Sequence, residues 1–331
     1  MKLNVAIIGC GDMGRNHATQ WKAAEDSHVM AVCDPIQERR ERLAESTGAA
    51  AYEDFKDAVL HEGVNVVSVC TPVCFHSAIS CFAMNHGRHV LCEKPITLTL
   101  KQADEMIRAA KRNNVLLSTS LQYRGFARNI RYRQLFREGA FGGPIFVRYM
   151  DVREVRPKLA MHRQSMNGGP ILDMAGHYFD NMRFLTGGEP VSVSAQGHVF
   201  GRGKERLAGI DDFAIDAAEI LVRMTGGHVL SVFVNWGMPE GFKGFGEEYI
   251  IGPALSARVE GGQVRLRYPD REETFDANAG NPPGSSVRIN DLAAAIREGR
   301  QPEVTGQDGR IALQVSLATL ESIETNKVVE L

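Results

Sequence analysis

Asn4-Val5-Ala6-Ile7-Ile8-Gly9-Cys10-Gly11-Asp12-Met13-Gly14 decides the architecture: an apolar run ends in G-x-G-x-x-G, and a helical pattern follows. Residues 4–8 read as a buried strand. The apolar stretch is too short for a signal peptide and no cleavage pattern follows it. At a strand-to-helix turn of this spacing each glycine has its own task. Gly9 permits the tight turn, Gly11 lets the backbone approach a pyrophosphate, and Gly14 lets helix and strand pack closely. The helix then aims its N-terminal amides and the positive end of its dipole at the phosphates. Gly9, Cys10, Gly11, Asp12, Met13 and Gly14 are therefore expected to bind a dinucleotide.

The pattern around this loop supports that reading. Up to residue 122, short runs rich in Val, Ile and Cys (4–8, 28–33, 49–52, 64–70, 89–92, 115–120) alternate with amphipathic stretches (16–24, 37–46, 77–85, 100–113). Strands apolar on both faces and separated by helices predict a right-handed, doubly wound parallel sheet, a Rossmann domain. After residue 122 the pattern changes. Helices are expected at 128–138 and 173–185. Strands at 144–152, 191–199, 216–224, 228–236, 247–251, 256–260 and 263–268 follow largely without intervening helices. Thr225-Gly226-Gly227 and Gly261-Gly262 carry hairpin chemistry. Two tail helices are expected at 286–298 and 308–326. The fold class is thus α/β: an N-terminal Rossmann sheet over residues 1–122, then an α+β domain over 123–331 with a large, mainly antiparallel open sheet.

Composition narrows the function. The chain has 331 residues, 44% hydrophobic and 24% charged, with a formal net charge of −2. Such a chain is globular and long enough for two cores. No basic stripe points to nucleic acid, and Arg39, Arg40 and Arg42 alternate with Glu38, Glu41 and Glu45 as on a solvated helix face. No apolar run reaches the ~20 residues of a membrane span. The six cysteines all fall in the first third without C-x-x-C spacing. They read as reduced thiols of a cytoplasmic protein, with no metal site expected.

Asp34 ends the second strand, twenty residues past Gly14. A carboxylate there accepts from both adenosine ribose hydroxyls and repels a 2′-phosphate, so NAD is expected over NADP. Pro35 and Ile36 follow, and Arg39 and Arg40 lie a turn onward, within conceivable reach of such a phosphate. Asp34 can also serve as a helix cap, with Pro35 in the first helical position. Thr71-Pro72-Val73-Cys74-Phe75-His76 and Glu93-Lys94-Pro95 follow the fourth and fifth strands, at the carboxyl edge where open sheets bind ligands. Thr71, Pro72, His76, Glu93, Lys94 and Gln122 complete the expected cofactor residues on this edge.

In the second domain, Gly168-Gly169-Pro170 opens a helix carrying Asp173, His177 and Asp180. Spacings of four and three place these on one face. A histidine beside carboxylates suits general-base chemistry. A helix cap plus a satisfied interior histidine explains the pattern equally well.

Together the Gly9-x-Gly11-x-x-Gly14 opening, Thr71-Pro72 with His76, Glu93-Lys94-Pro95 and the Asp173, His177, Asp180 segment resemble the glucose–fructose oxidoreductase / inositol dehydrogenase / MocA family. The resemblance runs nearly the whole length, including Thr305-Gly306-Gln307-Asp308-Gly309. It implies an NAD-dependent oxidoreductase acting on CH–OH groups of a sugar, sugar acid or cyclitol. It also implies catalytic Lys94, Asp173 and His177, and a homodimer or homotetramer through the second-domain sheet. Two departures stand out: Val73 where the family often has Asn, and His162-Arg163 where it often has Trp-Arg, with Arg163 keeping the cofactor- or substrate-facing role that the resemblance implies. Tyr123, Arg124, Arg153, Arg156 and Arg163, with Lys94, Asp173 and His177, are the expected substrate contacts. That much arginine leaves room for an acidic sugar, or else some arginines face phosphate or solvent. A non-catalytic NAD-sensing regulator and a reductase of an unsaturated or imine substrate are the alternatives.

Overall fold

The computed structural model describes residues 2–281 and 286–331. Its first unit comprises β1 (Leu3–Ile8), α1 (Asp12–Ala23), β2 (Ser27–Cys33), α2 (Gln37–Thr47), β3 (Ala50–Tyr52), α3 (Phe55–Leu60), β4 (Val66–Val69), α4 (His76–Asn85), β5 (His89–Cys92), α5 (Leu100–Arg112) and β6 (Leu117–Thr119). The six strands are all parallel, in the order β3-β2-β1-β4-β5-β6. This is the doubly wound Rossmann arrangement, whose strand order reverses beside β1 and opens a crevice at the carboxyl edge. Helices on both faces bury the strands, and Leu3, Val5, Ile7, Val66 and Leu91 are closed to solvent. α1 starts at Asp12, directly after Gly11 and four residues earlier than its amphipathic stretch suggested. Pro35 lies in the turn before α2 and not in its first turn.

The second unit contains α6 (Ala127–Arg137), β7 (Phe146–Glu154), α7 (Gly176–Thr186), β8 (Pro190–His198), β9 (Ala217–Met224), β10 (Val229–Met238), β11 (Phe245–Ile251), β12 (Ser256–Glu260), β13 (Gln263–Arg267) and β14 (Glu272–Asp276). With β15 (Val329–Glu330) these strands form one sheet ordered β14-β13-β12-β11-β7-β10-β9-β8-β15. β7 and β10 are parallel and every other pair is antiparallel. Both glycine hairpins form as read. Gly226 (φ 75°), Gly227 (φ 80°), Gly261 (φ 56°) and Gly262 (φ 80°) all take the left-handed backbone that tight turns require. Alternation along the strands is clean: Val147, Tyr149, Leu230, Val232, Ile220 and Val222 are buried, while Phe146, Phe245, Ile251 and Leu221 stand exposed.

The tail is shared between the two units. α8 (Ser286–Glu298) belongs with the first unit: Ile289, Leu292 and Ala293 join the core of Leu3, Trp21 and Leu91. Residues 286–310 group with the Rossmann sheet, and 311–331 with the second unit, so α9 (Gly306–Thr325) passes from one to the other. The physical reason is that β1 and α1 leave an apolar surface that α8 covers, a pairing between chain ends with no local sequence signal.

Candidate active site

The phosphate loop shows the three glycine tasks as distances. Gly9 sits at φ 95°, where a Cβ would meet the Cys70 carbonyl oxygen at 2.7 Å. Gly14 is closed more tightly, its Cβ position lying 1.8 Å from the Gly9 carbonyl oxygen. Gly11 is open, with nothing within 4 Å of a Cβ, and it caps α1 without a side-chain oxygen to compete for the first-turn amides. Asp12 and Met13 turn their side chains outward, with Asp12 pairing Arg15 at 2.5 Å, so their contribution is backbone.

Asp34 is buried. Its Oδ2 accepts the Cys10 amide at 2.9 Å and its Oδ1 the Ile36 amide at 2.9 Å. The carboxylate thereby ties the phosphate loop to the end of β2, and each oxygen keeps a further acceptor site for a ribose hydroxyl. Arg40 is engaged nearby, donating to the carbonyls of Asp34 (3.3 Å) and Pro35 (3.1 Å) and pairing Glu53 at 3.4 Å.

Two expected cofactor residues turn inward instead. His76 is closed to solvent, with Nδ1 3.0 Å from the Pro95 carbonyl and Nε2 2.8 Å from the Thr71 carbonyl. It clamps two loops together, and burial pushes its pKa down. Glu93 aims Oε1 at His17 Nε2 (2.9 Å), while Oε2 accepts the Lys94 amide at 3.2 Å. Ser68 Oγ accepts from Trp21 Nε1 (2.8 Å) and lies 3.2 Å from His17 Nδ1. Burial alone would raise the Glu93 pKa, but the His17 bond and charge hold it at about 2. His17 was not picked out from the sequence. Its only signal is a polar residue on the buried stripe of α1 with Ala18 and Trp21.

The residues present fit NAD. The opening at Gly11 takes a pyrophosphate, and Thr71 Oγ1 and Gln122 Oε1 are buried without a protein partner at the carboxyl edge of the sheet. Buried orphan oxygens of this kind call for a ligand or water.

In the second unit, Gly168 (φ 73°) and Gly169 (φ 71°) lead into a π-helical turn, Ile171–Ala175, before α7 begins. Expected as plain helix, this segment instead bonds i→i+5, an arrangement frequent at functional sites. A methyl on Gly169 would meet Ala214 Cβ at 2.7 Å and the Ile215 carbonyl oxygen at 2.9 Å, so the entry is sterically fixed. Asp173 lies in this turn and His177 in the first turn of α7, and both are buried. The His177 ring stacks on Tyr123 with centroids 4.7 Å apart and planes 9° from parallel. Burial, with the Asp151 charge behind it, pushes Tyr123 up to about 12, so its phenol stays neutral.

Asp180 is engaged by an arginine. It is fully buried and paired with Arg124, whose Nε lies 2.8 Å from Oδ2 while Nη2 reaches Oδ1. Arg124, expected at substrate, is held by this pair. Arg163 is likewise engaged, with Asp212 at 2.7 Å and the Gly209 carbonyl at 2.8 Å. Arg153 Nε pairs Asp151 at 2.7 Å, and its Nη2 lies 3.8 Å from Met174 Sδ. Arg156 lies over Trp236, 5.5 Å from the ring centroid. His162 is buried, its Nε2 accepting the Arg156 amide at 2.9 Å; burial lowers its pKa, and the Arg156 charge adds to that.

Known proteins place the chain in a family. A family model described as "Oxidoreductase family, NAD-binding Rossmann fold" matches residues 3–121, and the GFO/IDH/MocA C-terminal domain matches residues 130–264. The chain is 28% identical to 1,5-anhydro-D-fructose reductase of Ensifer adhaerens, over 98% of this chain and 97% of that protein. It is 28% identical to myo-inositol 2-dehydrogenase of Thermotoga maritima, over 99% and 98%. Among solved structures, aldose-aldose oxidoreductase from Caulobacter crescentus complexed with glycerol superposes with a TM-score of 0.85 at 25% identity, covering 100% of both chains. The chain belongs to the GFO/IDH/MocA family: it is an oxidoreductase with an NAD-binding Rossmann domain.

Proposed function

We propose that this enzyme interconverts a secondary hydroxyl and a ketone on a sugar, sugar acid or cyclitol with NAD as its partner. The observation that carries the reading is His177, buried at the start of α7, stacked on Tyr123 and preceded by Asp173 in a π turn. The relatives named for an anhydro sugar and an inositol favour the substrate class. NAD, when bound, supplies the hydride-accepting chemistry. His177 takes the hydroxyl proton as general base. Lys94 donates a hydrogen bond that stabilises the developing alkoxide. Asp173 orients His177 or binds a neighbouring hydroxyl. Tyr123 fixes the plane of the imidazole. Phe146, Ile251, Phe245 and Leu221 on the outer sheet face support assembly into a homodimer or homotetramer. Six free thiols suit the cytoplasm.

The test is NADH production from a panel of sugars, uronic acids and inositols, repeated with two variants. Lys94→Ala is expected to lower kcat by ~10²–10³, the scale of losing one oxyanion donor. His177→Ala is expected to cost ~10²–10⁴ and to remove the acidic limb of the pH–rate profile. Near-normal turnover in both variants refutes the assignment.

A further inference from the structure

The arginines singled out in the second unit differ in one respect. Arg124 is paired with Asp180, Arg153 with Asp151 and Arg163 with Asp212. Arg156 has no ion pair among the described residues, and its Nε is buried without a hydrogen-bond partner. Its guanidinium lies on Trp236, whose indole N–H donates to Asp151 at 3.1 Å. A half-buried guanidinium with no counter-charge is costly, and such a group is retained where a ligand supplies the charge.

The position suits a substrate contact. Trp236 lies beneath both Arg156 and Arg153, at 5.5 Å and 5.9 Å from the ring centroid. Arg153 in turn touches Met174, the neighbour of Asp173. The charges of Asp151 and Arg153 act on Tyr123, which stacks on His177. Arg156 is thus joined to His177 by a short chain of contacts, all inside one unit.

We propose that Arg156 recognises a carboxylate on the substrate, which makes the substrate a sugar acid and not a neutral sugar or cyclitol. The inference rests on the hydride-transfer reading for its location. The geometry favours a carboxylate over a phosphate. One free guanidinium offers two parallel N–H donors that match two carboxylate oxygens. A phosphate brings close to two negative charges, and the second cation at hand, Arg153, is already offset by Asp151.

Matched pairs test this: glucuronate against glucose, and galacturonate against galactose, each with the wild type, Arg156→Gln and Arg156→Lys. The wild type is expected to favour the acid of each pair by at least ~10-fold in kcat/KM, the scale of hydrogen bonds to a charged group. Arg156→Gln is expected to cut that ratio at least ~10-fold, chiefly through KM, and Arg156→Lys to restore part of it. Equal use of acid and neutral sugar, or an unchanged ratio in Arg156→Gln, overturns the inference while the hydride-transfer reading stands. Loss of NADH binding in Arg156→Gln also overturns it, by assigning the residue to the cofactor. If no compound is turned over, calorimetry on the NADH-loaded protein decides. Binding of the acids by wild type but not by Arg156→Gln supports the carboxylate site and sinks the oxidation reading. Binding of neither overturns both.

Discussion

Replacing Gly11 and Gly14 in turn by alanine separates ligand binding from folding within one loop. At Gly14 the new methyl would stand 1.8 Å from the Gly9 carbonyl oxygen, whereas ordinary contact begins near 3.4 Å. Relief requires β1 and α1 to part by roughly 1.5 Å in a close-packed core. Overpacking costs ~1–3 kcal/mol even when side chains give way, and here backbone meets backbone, so ~3 kcal/mol or more is expected. At Gly11 the methyl meets nothing within 4 Å and the backbone (φ −69°, ψ −161°) is open to alanine. The loss there is a cap preference, about 1 kcal/mol at most. The methyl does occupy the approach to a pyrophosphate, and a ~100-fold loss of NAD affinity, about 2.7 kcal/mol, is expected. The assay is unfolding with and without NAD. At 100 times the wild-type Kd, NAD adds about 2.7 kcal/mol to the wild type but only about 0.4 kcal/mol to Gly11→Ala. Gly14→Ala should unfold early in either condition. A Gly11→Ala protein stabilised by NAD as strongly as the wild type would refute the assignment of the loop.

Two further outcomes follow from the buried network and the open sheet. Because Glu93 is held at about 2 against a usual 4.5, its stabilisation is full above pH 4.5 and disappears as pH falls toward 2. Glu93→Gln should therefore be less stable by about 3 kcal/mol at neutral pH, with the gap to wild type closing below pH 4.5 in denaturant melts; a gap constant down to pH 3 contradicts the His17 pairing. Phe146 and Ile251 are cross-strand neighbours on the exposed face, so Ile251→Arg should shift a wild-type dimer or tetramer toward monomer in light scattering at micromolar concentration, and a monomeric wild type contradicts the interface.

The periodicity of 1–122 and the glycine spacing were sufficient to place β1, the phosphate loop and the parallel order around it. These are local signals: a two-faced apolar strand, a turn only glycine can make, and a helix start. The glycine hairpins at 226–227 and 261–262 were legible for the same reason, since left-handed backbone selects its residue. Tertiary structure decided what depends on which side chain meets which. Asp180 shares the spacing of a catalytic carboxylate, yet Arg124, which is 56 positions away, claims both its oxygens. Arg163 is taken by Asp212, and Glu93 by His17, through equally distant encounters. The π turn under Asp173 and the return of α8 to the first sheet left no mark in the residue pattern, because the pattern reports which positions are apolar and not which partner covers them. Arginine content alone suggested an anionic ligand. Only the fold pairs Arg124, Arg153 and Arg163 with carboxylates and leaves Arg156 without one among the described residues, since an ion pair is a matter of proximity in space.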